Sequence, residues 1–140
     1  MSEPTKRLRR KALVFGVGMP ATLHLDYFGW LVYCAFGGYP YLVGSALQTK
    51  QWRDIDVRLI LSDADYATMG LGNPVTTQTN TKWVAFTLAF SALGKEITGL
   101  PIDFQIQQQS KANRDFDGPR SCLGIEHSLI RQSLEEATNA

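Results

Sequence analysis

The sequence predicts a single α/β domain in which buried helices alternate with strands that are apolar on one face and polar on the other. Three observations carry this prediction. Residues 21–36 and 82–93 are dense in apolar side chains at helical spacing, whereas residues 55–61 and 100–107 alternate apolar with polar ones. Helix, strand, turn, strand, helix and strand follow one another with no internal repeat or low-complexity linker. The chain has 140 residues, 44% apolar and 19% charged, enough to bury a core without metal or disulfide staples.

The first twenty residues read as a basic arm, residues 21–110 as the core, and residues 111–140 as a tail of the same domain. Lys6, Arg7, Arg9, Arg10 and Lys11 face only Glu3 in the arm. Such an arm can touch RNA phosphates or remain a short solvated tail. The formal net charge of the whole chain is +1, which excludes a uniformly basic protein that coats nucleic acid. Residues 6–19 have the charged-then-apolar order of a secretion signal, but the apolar run is minimal and no small-x-small cleavage site follows. Cys34 and Cys122 form no CxxC pair and no zinc spacing, so a reducing, cytoplasmic setting fits.

The helix over 21–36 follows Pro20, with Leu23, Tyr27, Phe28, Leu31, Cys34 and Ala35 as its expected buried stripe, widened by Trp30 and Val32. Gly37 and Gly38 end it. No charge lies between Asp26 and Lys50, yet Gly29, Gly37, Gly38, Pro40 and Gly44 interrupt the span, which marks core and no membrane helix. Residues 39–43 read as a strand stopping at Gly44-Ser45. In the strand over 55–61, Ile55, Val57, Leu59 and Leu61 point to the core, with Asp54, Asp56 and Arg58 opposite.

Residues 62–81 lack periodicity and read as one long loop. Trp83, Phe86, Leu88, Phe90 and Leu93 then mark a second buried helix, closed by Gly94. Beyond it Leu100, Ile102, Phe104 and Ile106 face inward, and Asp103, Gln105 and Gln107 outward. After Ser110 the chain is polar and punctuated by Gly and Pro until a short helix over 126–136.

Gly44-Ser45, then Asp54-Ile55-Asp56, then Asp103 on a later strand, resemble the nucleotidyltransferase superfamily typified by DNA polymerase β, in its minimal form. The resemblance covers residues 21–108. It implies a mixed sheet with helices on one face, and Asp54, Asp56 and Asp103 as catalytic, metal-binding carboxylates on the open face. It implies Mg²⁺ or Mn²⁺ as cofactor, and transfer of a nucleoside monophosphate from a nucleoside triphosphate to an acceptor hydroxyl on an RNA end, a small molecule or a protein. Since such enzymes choose the acceptor with an extra domain, a partner subunit or homo-oligomer is expected to complete the site here. The uncharged, aromatic-rich span 27–43 is the candidate surface for that association.

The chemistry suits these residue types. Phosphoryl oxygens that gain charge are neutralised by paired divalent ions, and Mg²⁺ prefers hard carboxylate oxygens, of which it needs few. Gly44 admits an anion close to the backbone and Ser45 offers donors. Lys50, Arg53 and Arg58 are placed to reach a phosphate. If the aspartates are instead structural, Arg53 and Arg58 are their natural partners, and the chain is then a nucleotide sensor or a protein-interaction module. Trp52 and the outward Gln105, Gln107, Gln108 and Gln109 are candidates to meet a base. His24 and His127 have no second ligand at metal spacing, and Gly16-x-Gly18 lacks the rest of a dinucleotide fingerprint.

Overall fold

Helix α1 (Ala21–Phe36) buries Leu25, Phe28, Gly29 and Val32, one stripe at three- and four-residue steps. This stripe is rotated from the expected one: Phe28 and Val32 are common to both, but Leu23, Cys34 and Ala35 are exposed. Apolar residues surround the helix on nearly every side, so composition alone does not mark the face that meets the sheet. The helix stops at Gly37, in the left-handed conformation. The computed structural model describes residues 16–139; the basic arm through Lys11 lies outside the described residues.

Four strands form one mixed sheet in the order β3-β2-β1-β4. Strand β1 (Tyr41–Val43) is antiparallel to β2 (Ile55–Leu61), which is parallel to β3 (Ile102–Gln108). The two-residue β4 (Ser121–Cys122) adds to the far edge of β1. Ile55, Val57, Leu59 and Leu61 of β2 are buried and alternate with half-buried Asp56, Arg58 and Ile60, as the period of a strand requires. Phe104 of β3 is fully buried, and its ring lies 6.3 Å from that of Phe28, 6.4 Å from that of Phe36 and 5.3 Å from that of Phe90. Helices therefore cover this face of the sheet, and burying each such side chain stabilises the fold by roughly 1.5–3 kcal/mol.

The segment between β2 and the second long helix is not one loop, contrary to expectation. It forms α2 (Asp63–Thr68), a 3-10 turn (Thr77–Thr79) and the cap of α3 (Thr81–Thr98). Ser62 Oγ accepts from the Asp65 amide and Asn80 Oδ1 from the Trp83 amide, each side chain satisfying a donor that a helix start leaves unpaired. Tyr66 and Leu71 anchor the stretch in the core. Helix α3 also runs past its expected end at Gly94. That glycine is buried against β3, where an added Cβ would stand 3.0 Å from Ile102 Cγ1, and the helix ends at Gly99. Glycine there lets helix and sheet approach and does not terminate the helix.

The tail is more structured than its composition suggests. Helix α4 (Gln109–Asp115) follows β3 directly, and α5 (Ile125–Asn139) extends the expected terminal helix at both ends. Asp26 of α1 holds the start of α5, accepting from the Gly124 amide at 2.7 Å and the His127 amide at 2.8 Å. Among the described residues no helix is long and apolar enough to cross a membrane.

Candidate functional site

Asp56 and Asp103 are direct register partners on parallel neighbours β2 and β3, so the backbone alone sends both carboxylates to the same face, opposite the helices α1 and α3. Val43 is the partner of Asp56 on the other side, and the chain turns immediately after it into a 3-10 segment (Gly44–Leu47). Gly44 has φ +80°, and a Cβ there would lie 2.6 Å from Asp56 Oδ2. No other residue fits this turn without displacing the carboxylate. The Gly-Ser turn and the second aspartate of the Asp-x-Asp motif are thus in contact.

Asp54 departs from its expected position. It lies in the exposed bend before β2 and not on the strand, although its negative charge is still felt at Asp56. Arg58 Nη2 lies 3.3 Å from Asp103 Oδ2 and 3.7 Å from Asp56 Oδ1. Its Nη1 donates to the Asp103 carbonyl at 2.6 Å and the Val57 carbonyl at 3.2 Å. Gln105 Nε2 adds a bond to Asp103 Oδ1 at 3.2 Å. Burial raises the Asp56 pKa above its usual value, Arg58 draws it down, and the charges of Asp103 and Asp54 raise it again; the balance is upward.

A cavity of about 300 Å³ opens over this face. Its lining combines Val43 and Gly44 at the end of β1, Asp56, Arg58 and Ile60 of β2, Gln107 of β3, and Asp115, Phe116 and Arg120 from the segment before β4. Arg120 donates to Asn113 Oδ1 at 2.9 Å and to the Ala112 and Phe116 carbonyls at 3.2 Å, and its guanidinium lies 5.8 Å from the Phe116 ring centre. No protein-family model, curated protein or solved structure matches the chain. The site rests on its own geometry.

The other sequence candidates are dispersed. Ser45, Lys50 and Arg53 are exposed and do not line the cavity. Trp52 points away: its indole donates to the Gly16 carbonyl at 2.8 Å and packs on the core, which removes it as a stacking platform. Gln105 is bound to Asp103, Gln107 reaches the cavity, and Gln108 and Gln109 sit where β3 passes into α4. His24 is exposed on α1, while His127 packs against Tyr27 and Trp30 in the seam between α1 and α5. Phe116 and Arg120 were missed by sequence reasoning; a lone aromatic in a polar Gly-Pro stretch was the available signal.

Among the described residues, no three His, Cys, Asp or Glu side chains gather closely enough to hold a metal ion by themselves. Mg²⁺ usually takes only one or two carboxylates and completes its shell with water and phosphate oxygens. The Asp56 and Asp103 pair, with the Gly44 cradle beside it, therefore fits a hard cation brought in with a phosphate ligand. In the structure described, the guanidinium of Arg58 is the cation between them.

Proposed function

We propose that this chain transfers a nucleoside monophosphate from a nucleoside triphosphate to an acceptor hydroxyl, releasing pyrophosphate. The observation that carries the reading is the direct register of Asp56 with Asp103, with Gly44 against Asp56: two strands and a turn that are separate in sequence meet where carboxylates and phosphate donors are both needed. Mg²⁺ or Mn²⁺, held by Asp56 and Asp103 with Asp54 nearby, would neutralise charge on the transferred and leaving phosphates. Gly44 would admit the triphosphate to the backbone, and Ser45, exposed next to it and outside the cavity lining, would offer a hydroxyl donor. Arg58 offers a fork of donors to a phosphate oxygen. Asp103 would orient the attacking hydroxyl. Phe116 would supply a ring, and Gln107 an amide, from the cavity lining to a base or an acceptor.

The acceptor class is open among an RNA end, a small molecule and a protein side chain. The 27–43 span gives less interaction surface than its sequence promises, because Phe28, Gly29, Val32, Leu42 and Val43 are buried in the core. A homo-oligomer or a partner subunit remains our reading of how the acceptor is chosen, with RNA reached through the basic arm as one route.

The test is incubation of the whole chain with each α-labelled triphosphate, Mn²⁺ and fractionated host RNA, metabolites or protein, with Asp56→Asn alongside. Label transfer and pyrophosphate release by the wild type alone are expected. Equal label in both, or none in either, refutes transfer. One observation favours a second reading. Arg58 already pairs with both carboxylates, the arrangement of a site that binds nucleotide as a sensor without turning it over. Mg²⁺-dependent nucleotide binding with no product would select it.

A further inference from the structure

We propose that Arg58 is an internal counter-ion that holds the place of the divalent cation between Asp56 and Asp103 until a triphosphate draws its guanidinium away. The inference rests on the nucleotidyl-transfer reading of the same site and adds an order of binding to it: cation and triphosphate enter together, and the resting site has low affinity for the cation alone.

The geometry points to this in three ways. Nη2 of Arg58 bridges Oδ1 of Asp56 and Oδ2 of Asp103, the two carboxylates that would hold the ion. The side chain is well enclosed, 13% exposed against 29% and 37% for its two partners, so water screens the pairing only in part. It also borders open space, since Arg58 lines the cavity together with Asp56, Gln107 and Phe116. A phosphate chain laid along that cavity offers the guanidinium a bidentate partner, for which its planar fork is suited. As the guanidinium leaves, the two carboxylates face each other across adjacent strands with their charge uncompensated, and the site's demand for a cation rises. Each ligand thus creates the vacancy the other needs, which is positive coupling by mutual displacement.

The whole chain is titrated with Mn²⁺ alone, followed by the paramagnetic resonance signal of the free ion, in the wild type, Arg58→Gln and Arg58→Met. Both variants are expected to bind Mn²⁺ at least about tenfold more tightly than the wild type, about 1.4 kcal/mol, and to gain a larger Mn²⁺-dependent rise in melting temperature. Equal Mn²⁺ affinity in all three overturns the counter-ion role and leaves the transfer reading in place. No Mn²⁺ binding by any of them overturns the counter-ion role, and no Mn²⁺ binding even with a nucleoside triphosphate present overturns the transfer reading as well. A measurement on the unmodified protein covers the case in which the variants fail to fold. In ¹⁵N-labelled wild type, the Arg58 side-chain resonance is expected to move with the same midpoint as the Asp103 amide when Mg²⁺ and a nucleoside triphosphate are added together. An Asp103 amide that shifts while Arg58 does not overturns the proposal.

Discussion

Gly44→Ala isolates the contact on which the site depends, because the structure supplies its own control. Gly44 and Gly37 share φ +80°, but an added Cβ meets nothing within 4 Å at Gly37, whereas at Gly44 it meets Asp56 Oδ2 at 2.6 Å. Holding alanine in the left-handed region costs about 1–2 kcal/mol at either position. Only at Gly44 must the carboxylate also turn aside, away from the Arg58 guanidinium at 3.7 Å, and an off-rotamer side chain costs about 0.5–1.5 kcal/mol. Gly44→Ala is therefore expected to destabilise by about 1 kcal/mol more than Gly37→Ala. For a chain of this length that is a further fall of roughly 3–5 °C in melting temperature. Urea titration monitored by tryptophan fluorescence measures it, provided the slope is unchanged between variants. The cycle with Asp56→Ala closes the argument: once the carboxylate is gone, Gly44→Ala should cost no more than Gly37→Ala. Equal costs for the two glycines in the wild-type background, or a Gly44 penalty that survives Asp56→Ala, would show that the turn does not press on Asp56.

Asp56→Asn is expected to raise melting temperature without divalent ions, and the sign follows from linkage. The folded-state pKa of Asp56 lies above its usual value of 3.8, so the native state binds the proton more tightly than the unfolded one. The wild type is therefore relatively weakened as pH rises through the folded pKa, and relieved below it. The gain from Asp56→Asn should be full at about pH 7 and vanish below about pH 4; a gain that grows on acidification refutes the assignment. Asp26→Ala removes both acceptors at the start of α5. It should cost about 1–2 kcal/mol, with hydrogen exchange accelerated across 125–139 and unchanged in β2 and β3. Sedimentation of the whole chain over a wide concentration range should show self-association, and a strict monomer that recovers no partner from host extract would remove the oligomer reading.

The strands and the long helices were legible because each imposes a period on many residues. The β2 boundaries follow from alternation alone, since Ile55, Val57, Leu59 and Leu61 leave no second choice of face. What was lost lay where one contact replaces a pattern. Tyr66 anchors α2 in the core as its one buried residue, and a six-residue helix has too few turns to show a stripe. The Asn80 cap was readable in principle, as Asn placed three residues before the apolar run that starts at Trp83. Gly94 misled for a different reason: its neighbours are helical on both sides, and only the approach of Ile102 from β3 explains why a side chain is excluded there. A tertiary contact had the form of a local stop signal.

The site divides the same way. Spacing placed Asp56 and Asp103 on outward positions of two strands, but that these positions are opposite one another depends on strand register, which is fixed by how Ile102 and Phe104 seat against Ile55 and Val57 on the other face of the sheet. A slip by one residue would send Asp103 into the core. The packing that buries the apolar face therefore holds the carboxylates together, without any bond between them, against a repulsion that adds to burial in raising the pKa of Asp56. Arg58 follows from the same register, two residues along β2 from Asp56 and opposite Gln105. It relieves a charge cluster that the hydrophobic core has enforced. A permanent clasp of that kind would need no cavity beside it. The cavity of about 300 Å³ that Arg58 and Phe116 both line leaves open space beside the guanidinium, and for that reason we read the resting ion pair as one of two positions and not as the end of the arrangement.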